Sequence, residues 1–184
     1  VLVKIVWKSS ARRKIMDFQE LIRQRYSVRA YKPDPVEEEK LQKALDAARL
    51  APTAANRQPI QLIVLHTTGR EEDLKRIYKK DWFRQAPVVV LACAVYDGAW
   101  SRMDNKNYAE VDATIAMDHL VLAATDLGMG TCWIAAFDPQ AVREILKLPE
   151  GVEPIALTPI GYPADQPKEK KRKPLTELVR YDHW

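Results

Sequence analysis

Residues 87–96 read Pro-Val-Val-Val-Leu-Ala-Cys-Ala-Val-Tyr, an apolar run without a single charge. A strand apolar on both faces has to be covered on both faces, so this run predicts the central strand of a sheet. The longest helical pattern, residues 108–127, offers one cover. Ala113, Met117, Leu120, Ala124 and Leu127 form one stripe, and Val111, Ile115 and Leu122 occupy another side. A helix apolar around most of its circumference is buried on most sides. In a chain of this length the available covers are its own sheet and a partner subunit.

Working outward, Asp17 and Glu20 have capping-box spacing ahead of Phe18, Leu21 and Ile22, which predicts a helix over residues 18–25. A second helix is expected from Asp34 as N-cap, Pro35 at its first position and Glu37 closing the box. Its inward stripe is Leu41, Ala44, Leu45 and Ala48, and Pro52 ends it near Leu50. Residues 60–66 read as a strand, 70–79 as a short helix, 97–106 as a loop and 131–135 as a strand. Asp138-Pro139 caps and starts a helix carrying Val142, Ile145 and Leu146. The last strand, residues 153–162, contains Pro154 and Pro159, which predicts an edge position. A Pro- and Lys-rich extension follows, ending in apolar Leu175, Leu178, Val179 and Trp184.

The 184 residues suit one domain over 16–184, with hydrophobic residues at 47% and charged residues at 29% arguing against disorder. Residues 1–15 place apolar residues before the basic Lys8, Arg12, Arg13 and Lys14, the reverse of a signal peptide. They are expected to be a leader, an alternative start or a cloning remnant outside the fold. Two distant cysteines, Cys93 and Cys132, build neither a disulfide framework nor a metal spacing, so no metal is expected and a reducing cytoplasm is the simplest setting. No apolar run approaches bilayer length, so no membrane partner is expected. The net charge of +4 favours anionic ligands without singling out nucleic acid.

Four segments could carry chemistry. Arg25-Tyr26-Ser27-Val28-Arg29 sets two guanidinium groups and a hydroxyl close together, suited to a phosphate; the same residues would also serve an ordinary helix C-terminus. Residues 52–59, with Pro52, Thr53, Ala54, Asn56 and Gln58, form a proline-bracketed loop able to lie against a planar ligand, or a plain helix-to-strand turn. Trp133, Ile134, Ala135 and Ala136 end a strand with small residues whose backbone N–H groups could approach a ring edge. The run 168–173 reads as a solvated tail or a basic patch; without interleaved aromatics, nucleic acid is not expected. A Gly-rich dinucleotide fingerprint is missing, because Gly128-Met129-Gly130 lacks the third glycine and follows a helix.

Taken together and in this order, the segments resemble the nitroreductase family of FMN enzymes. The family's R-x-S-x-[RK] signature stands at residues 25–29, its P-[ST]-x-x-N-x-Q-P loop at 52–59, and its G-x-G-x-C-W-[IL] stretch at 128–134, leading to Ala135 and Ala136. The closing G-Y-P and K-x-R stand at 161–163 and 170–172. The resemblance implies an α+β fold: a central, mostly antiparallel sheet flanked by helices, in an intertwined homodimer with exchanged C-terminal extensions. It implies FMN as cofactor and NADH or NADPH as transient reductant, serving a small-molecule acceptor by a ping-pong scheme. By position, Arg25, Ser27, Arg172 and Lys170 would hold the FMN phosphate, with Tyr26 beside them. Arg29 would reach the N1/O2 edge of the isoalloxazine, and the backbone of Trp133, Ile134, Ala135 and Ala136 would face N5. Pro52, Thr53, Ala54, Asn56 and Gln58 would approach from the partner chain. No side chain is expected to act as nucleophile or general base, because the cofactor carries the chemistry. Trp100, Met103 and Tyr108 are candidates for the acceptor pocket. Other reactions on the same scaffold, such as dehalogenation or a biosynthetic dehydrogenation, and a flavin-binding protein without turnover, are the alternatives.

Overall fold

The computed structural model describes residues 17–184; the expected outlying segment 1–15 falls outside them. Among the described residues six α-helices and four strands follow in chain order, besides two short 3-10 turns: α1 (Phe18–Gln24), α2 (Glu38–Arg49), β1 (Ile60–His66), α3 (Glu71–Ile77), β2 (Val88–Val95), α4 (Ala109–Asp126), β3 (Gly130–Thr131), α5 (Pro139–Leu146), β4 (Val152–Gly161) and α6 (Leu175–Leu178). The strands form one sheet in the order β1-β2-β4-β3, and every strand pair is antiparallel. Strand β2 is interior, and burial runs almost unbroken along it.

Side-chain alternation sorts the core into two layers. Val88, Val90 and Ala92 point to one face with Ala156 and Ile160 of β4, where Leu41, Ala44 and Ala48 of α2 and Met117, Leu120 and Ala124 of α4 cover them. Val89, Leu91 and Cys93 point to the other, joined by Leu157, Leu74 and Ile77 of α3, Phe83, and Ala141 and Val142 of α5. A two-residue period on β2 thus meets helical stripes from both sides. The second side of α4 is less covered: Val111 is exposed, and Ile115 and Leu122 are half-buried.

Four expectations need correction. Helix α2 starts three residues late, with Glu37 in the N-cap position and no side-chain cap bond. Glu37 instead accepts a hydrogen bond from the Tyr162 hydroxyl and pairs with Lys40, so a tertiary contact displaces the Asp34 capping box. At α1 Asp17 does cap, accepting from Gln19 N–H, but Glu20 accepts from the Gln24 side chain rather than closing a box. The strand expected over 131–135 shrinks to Gly130–Thr131, after which Ile134 makes only an isolated bridge to Leu157. Strand β4 is interior by order, not an edge. Its prolines survive because Pro154 sits beside a bulge in β4, where Ala92 pairs with Ala156 and Cys93 with Pro154 so that Ile155 is the extra residue, and because β3 pairs only with Ile160 and Gly161.

After β4 the chain doubles back along residues 26–31. The extension beyond it lies on the surface, with Leu175, Leu178 and Trp184 exposed.

Candidate functional site

The segment that follows α1 is threaded between two strand ends. Ser27 forms a parallel bridge with Thr131, Val28 N–H donates to the Thr131 carbonyl at 2.9 Å, and Lys32 N–H donates to the Tyr162 carbonyl at 2.8 Å. On the other side, Ala164 N–H donates to the Ala30 carbonyl at 2.8 Å. Glycine is required where the segments cross. A Cβ on Gly130 would stand 2.6 Å from Val28 Cγ2, and one on Gly161 would stand 2.9 Å from Pro87 Cδ.

Asp165 fastens this arrangement. Its Oδ2 accepts the Arg29 backbone N–H at 2.8 Å, and Tyr26 donates its hydroxyl to the Asp165 carbonyl at 3.0 Å and to Oδ1 at 3.2 Å. Burial, reinforced by the Asp165 charge, pushes the Tyr26 phenol up to about 12, so it remains a donor at neutral pH. The Asp165 carboxylate is therefore engaged by backbone and phenol, and forms no ion pair with a neighbouring guanidinium group among the described residues.

Those groups face a hollow of about 340 Å³ lined by Arg25, Ser27, Arg29, Lys168, Lys170, Lys171 and Arg172, with Tyr26, Asp165, Gln166 and Glu169. Six cationic side chains stand there against two carboxylates, and none of the six forms an ion pair among the described residues. Lys170 donates to the Ile22 carbonyl at 3.1 Å and to the Arg23 carbonyl, at the C-terminal end of α1 where unpaired carbonyls gather. Burial first, then the charges of Arg25 and Arg172, holds its ammonium below the ordinary lysine range. An anion entering the hollow would relieve that repulsion. A phosphomonoester, at about −1.5 to −2 near neutral pH, fits this donor set in charge and in hydrogen bonding.

The 52–59 loop lies elsewhere on the chain. Thr53 and Gln58 line a separate, mainly apolar hollow of about 290 Å³ with Arg49, Ile60 and Leu62. Ala55, Asn56 and Gln58 all hold left-handed backbone, with φ of 49°, 53° and 54°. Three such non-glycine residues in four positions are a strained run of the kind that needs external support. The support comes from Thr53, whose hydroxyl accepts Gln58 N–H at 3.1 Å, and from Asp112 on α4, whose Oδ1 accepts Ala54 N–H at 3.0 Å.

In the third segment Ile134 is buried, Trp133 is 38% exposed, and Ala135 and Ala136 are exposed. Ala136 also borders an open hollow with Tyr78, Lys79, Lys80 and Phe137. Trp100 and Tyr108 pack edge-to-face at 5.1 Å between ring centroids, with Arg102 over the Tyr108 ring, while Met103 is fully exposed. The chain thus brings together Arg25, Tyr26, Ser27, Arg29, Lys170 and Arg172, and leaves the 52–59 loop apart from them.

The nitroreductase family profile matches residues 22–80 and 70–162, a span containing the arginine segment, the 52–59 loop and the 130–136 turn. The chain belongs to the nitroreductase family. A crystal structure of a nitroreductase family protein from Clostridium difficile 630 superimposes with a TM-score of 0.85 at 39% identity, covering 92% of this chain and 100% of that one. An FMN reductase, NAD(P)H, of Bacillus subtilis is 33% identical over 165 residues, 80% of this chain and 66% of its own length. An NADH dehydrogenase of Thermus thermophilus is 28% identical over 196 residues, covering 90% of this chain and 96% of its own.

Within this nitroreductase-family chain, Asp165 and Asp112 are the residues that motif reading passed over. Asp165 lies just past the G-Y-P motif, and its partners are 136 and 139 positions away. Asp112 is an acidic residue in an otherwise apolar helical face, flanked by buried Ala109, Ala113 and Ala116. That break in the stripe was its only signal.

Proposed function

We propose that this chain is an FMN-dependent oxidoreductase that takes hydride from NADH or NADPH and passes it to a small electrophilic acceptor, such as a nitroaromatic or a quinone. The observation that carries this reading is the hollow in which Arg25, Ser27, Lys170 and Arg172 converge from opposite ends of the chain, with cations in excess and without an ion pair among the described residues. The names of the Bacillus and Thermus relatives point the same way. When bound, FMN supplies the two-electron carrier that lets donor and acceptor react in turn.

The chain's own residues would bind and orient. Arg25, Ser27 and Arg172 hold the phosphate. Lys170, tied to the end of α1, supplies charge and fixes the returning tail. Arg29, whose backbone is held by Asp165, presents a cation to the N1/O2 edge, where it favours added negative charge. The backbone around Ala135 and Ala136 offers N–H groups beside the reacting edge. Trp100, Met103 and Tyr108 contribute to the acceptor side.

A homodimer completes the site. The 52–59 loop, remote from Arg25 in its own protomer, reaches the hollow of the partner, and the exposed Leu175, Leu178 and Trp184 find their cover there. A soluble setting in the cytoplasm accords with the described residues, among which no helix is long and apolar enough to cross a membrane.

The test is the visible spectrum of the purified protein before and after NADH or NADPH under anaerobic conditions. Flavin absorbance that bleaches on reduction and returns with a nitroaromatic or quinone is expected. Absence of flavin, or flavin that neither pyridine nucleotide bleaches, overturns the proposal.

A further inference from the structure

The Asp112 carboxylate is buried to 2% exposure in the first turn of α4. One oxygen, Oδ1, accepts the Ala54 N–H at 3.0 Å, and the other, Oδ2, is buried without a hydrogen-bond partner among the described residues. The buried, unsatisfied Oδ2 is unfavourable for folding and opposes the gain from the Ala54 bond; an alanine would remove that cost but leave the Ala54 N–H without its acceptor. What the carboxylate does accomplish is local. It holds the Ala54 N–H, directly before the stretch in which Ala55, Asn56 and Gln58 are all left-handed. Thr53 before it is extended, with φ −130° and ψ 153°, so the carboxylate meets the loop where the backbone turns into its strained course. The first turn of a helix favours an acidic side chain, which helps α4 carry Asp112 among buried Ala109, Ala113 and Ala116.

We infer that Asp112 is a positioning residue for the cofactor: it locks the strained 52–59 loop in the shape that closes over the flavin, at the expense of the stability of its own protomer. This rests on the reading of that loop as flavin-facing. Since Asp112 acts through Ala54 N–H, either partner can be removed to the same effect. Asp112→Ala deletes the acceptor. Ala54→Pro deletes the donor at a position preceded by extended backbone that tolerates proline, and because its ring Cδ then abuts the Asp112 oxygen it is read together with the double variant carrying Asp112→Ala. Asp112→Asn keeps an acceptor oxygen for Ala54.

The experiment measures FMN dissociation constants by fluorescence quenching and melting temperatures of the flavin-free protein for the full chain. Asp112→Ala and Ala54→Pro are each expected to weaken FMN at least tenfold, and the double variant no further, because both remove one bond. Asp112→Asn should return affinity to within threefold of the parent. The flavin-free Asp112→Ala protein should melt no lower than the parent, a behaviour that a purely structural residue would not show. A lowered melting temperature with unchanged FMN affinity, or weakened binding that Asp112→Asn does not restore, overturns the inference. Should Asp112→Ala fail to fold, that result counts against it too, and Ala54→Pro and Asp112→Asn still read the bond. Arg25→Ala is the separate check on the underlying reading. If it also leaves FMN affinity unchanged, the flavin site itself is wrong; if it weakens FMN while Asp112→Ala does not, only the role of Asp112 falls.

Discussion

The Asp165 carboxylate accepts the backbone N–H of Arg29 at 2.8 Å across 136 positions of sequence. Through this bond the returning C-terminal chain grips the segment after α1, and Tyr26 adds its hydroxyl to the same residue. The consequence is a division of labour among charges. Asp165 is occupied by an N–H and a phenol, so the guanidinium groups of Arg25, Arg29 and Arg172 stay available to an outside anion.

Removing one of those cations should separate phosphate recognition from ring recognition. A hydrogen bond to a charged group contributes about 1.5–3 kcal/mol, hence Arg25→Ala or Arg172→Ala should weaken FMN roughly 10- to 100-fold. Riboflavin, which lacks the phosphate, should bind parent and variant alike. Parallel fluorescence titrations with the two flavins check this, and equal losses for both would place the arginines elsewhere than on the phosphate.

Asp165→Ala deletes the acceptor for Arg29 N–H and for Tyr26 at once. With a charged acceptor lost from a half-buried site, the expected destabilisation is about 1–3 kcal/mol. Urea denaturation of the flavin-free protein measures it. Tyr26→Phe, which removes one of the two partners, should account for only part of the loss.

Gly130→Ala would force a Cβ to 2.6 Å from Val28 Cγ2. Overpacking of this kind destabilises by about 1–3 kcal/mol, and for a chain of this size each kcal/mol lowers the melting temperature by about 2–4 °C. Calorimetry should show that drop. Val28→Ala in the same chain should recover part of it by making room.

Alkaline pH should weaken the fold through its buried thiols. Burial pushes the Cys93 thiol from 9.0 to about 11 and raises Cys132 as well. A thiol raised in the folded state stabilises fully below its unfolded value of 9.0, and this contribution fades as pH rises towards about 11. Stability measured from pH 9 to 10 should therefore decline, with less decline in Cys93→Ala. Neither thiol should react with a disulfide reagent at pH 8 until the protein is unfolded.

The extension should hold two copies together. Leu175, Leu178 and Trp184 are 75%, 61% and 101% exposed in the protomer, an apolar surface that a partner would cover. Deleting residues 175–184 is expected to raise the dimer dissociation constant at least tenfold in sedimentation analysis. An unchanged dimer would show that the interface lies on another surface.

Much of the architecture could be read from pattern, because burial imposes a period. Strand β1, the interior place of β2 and the stripe of α4 all follow from where apolar residues repeat. What failed were boundaries set by distant contacts. The Asp34 capping box lost to the Tyr162 hydroxyl on Glu37, and the strand expected over 131–135 ended at Thr131, where Cys132 N–H donates to the Thr158 hydroxyl in place of a ladder carbonyl. The edge position inferred from Pro154 and Pro159 failed for a related reason: a register slip and a two-residue β3 accommodate them inside the sheet.

By itself the sequence determined the layer order, the family signatures and the candidate phosphate ligands, since these depend on spacing along the chain and on side-chain chemistry. Only the folded chain decided which charges remain unpaired and which backbone groups are held. Asp165 and Asp112 meet Arg29 and Ala54 across 136 and 58 positions. No local period records such meetings, because a hydrogen bond depends on distance in space, and the sheet and α4 are what bring those atoms within reach.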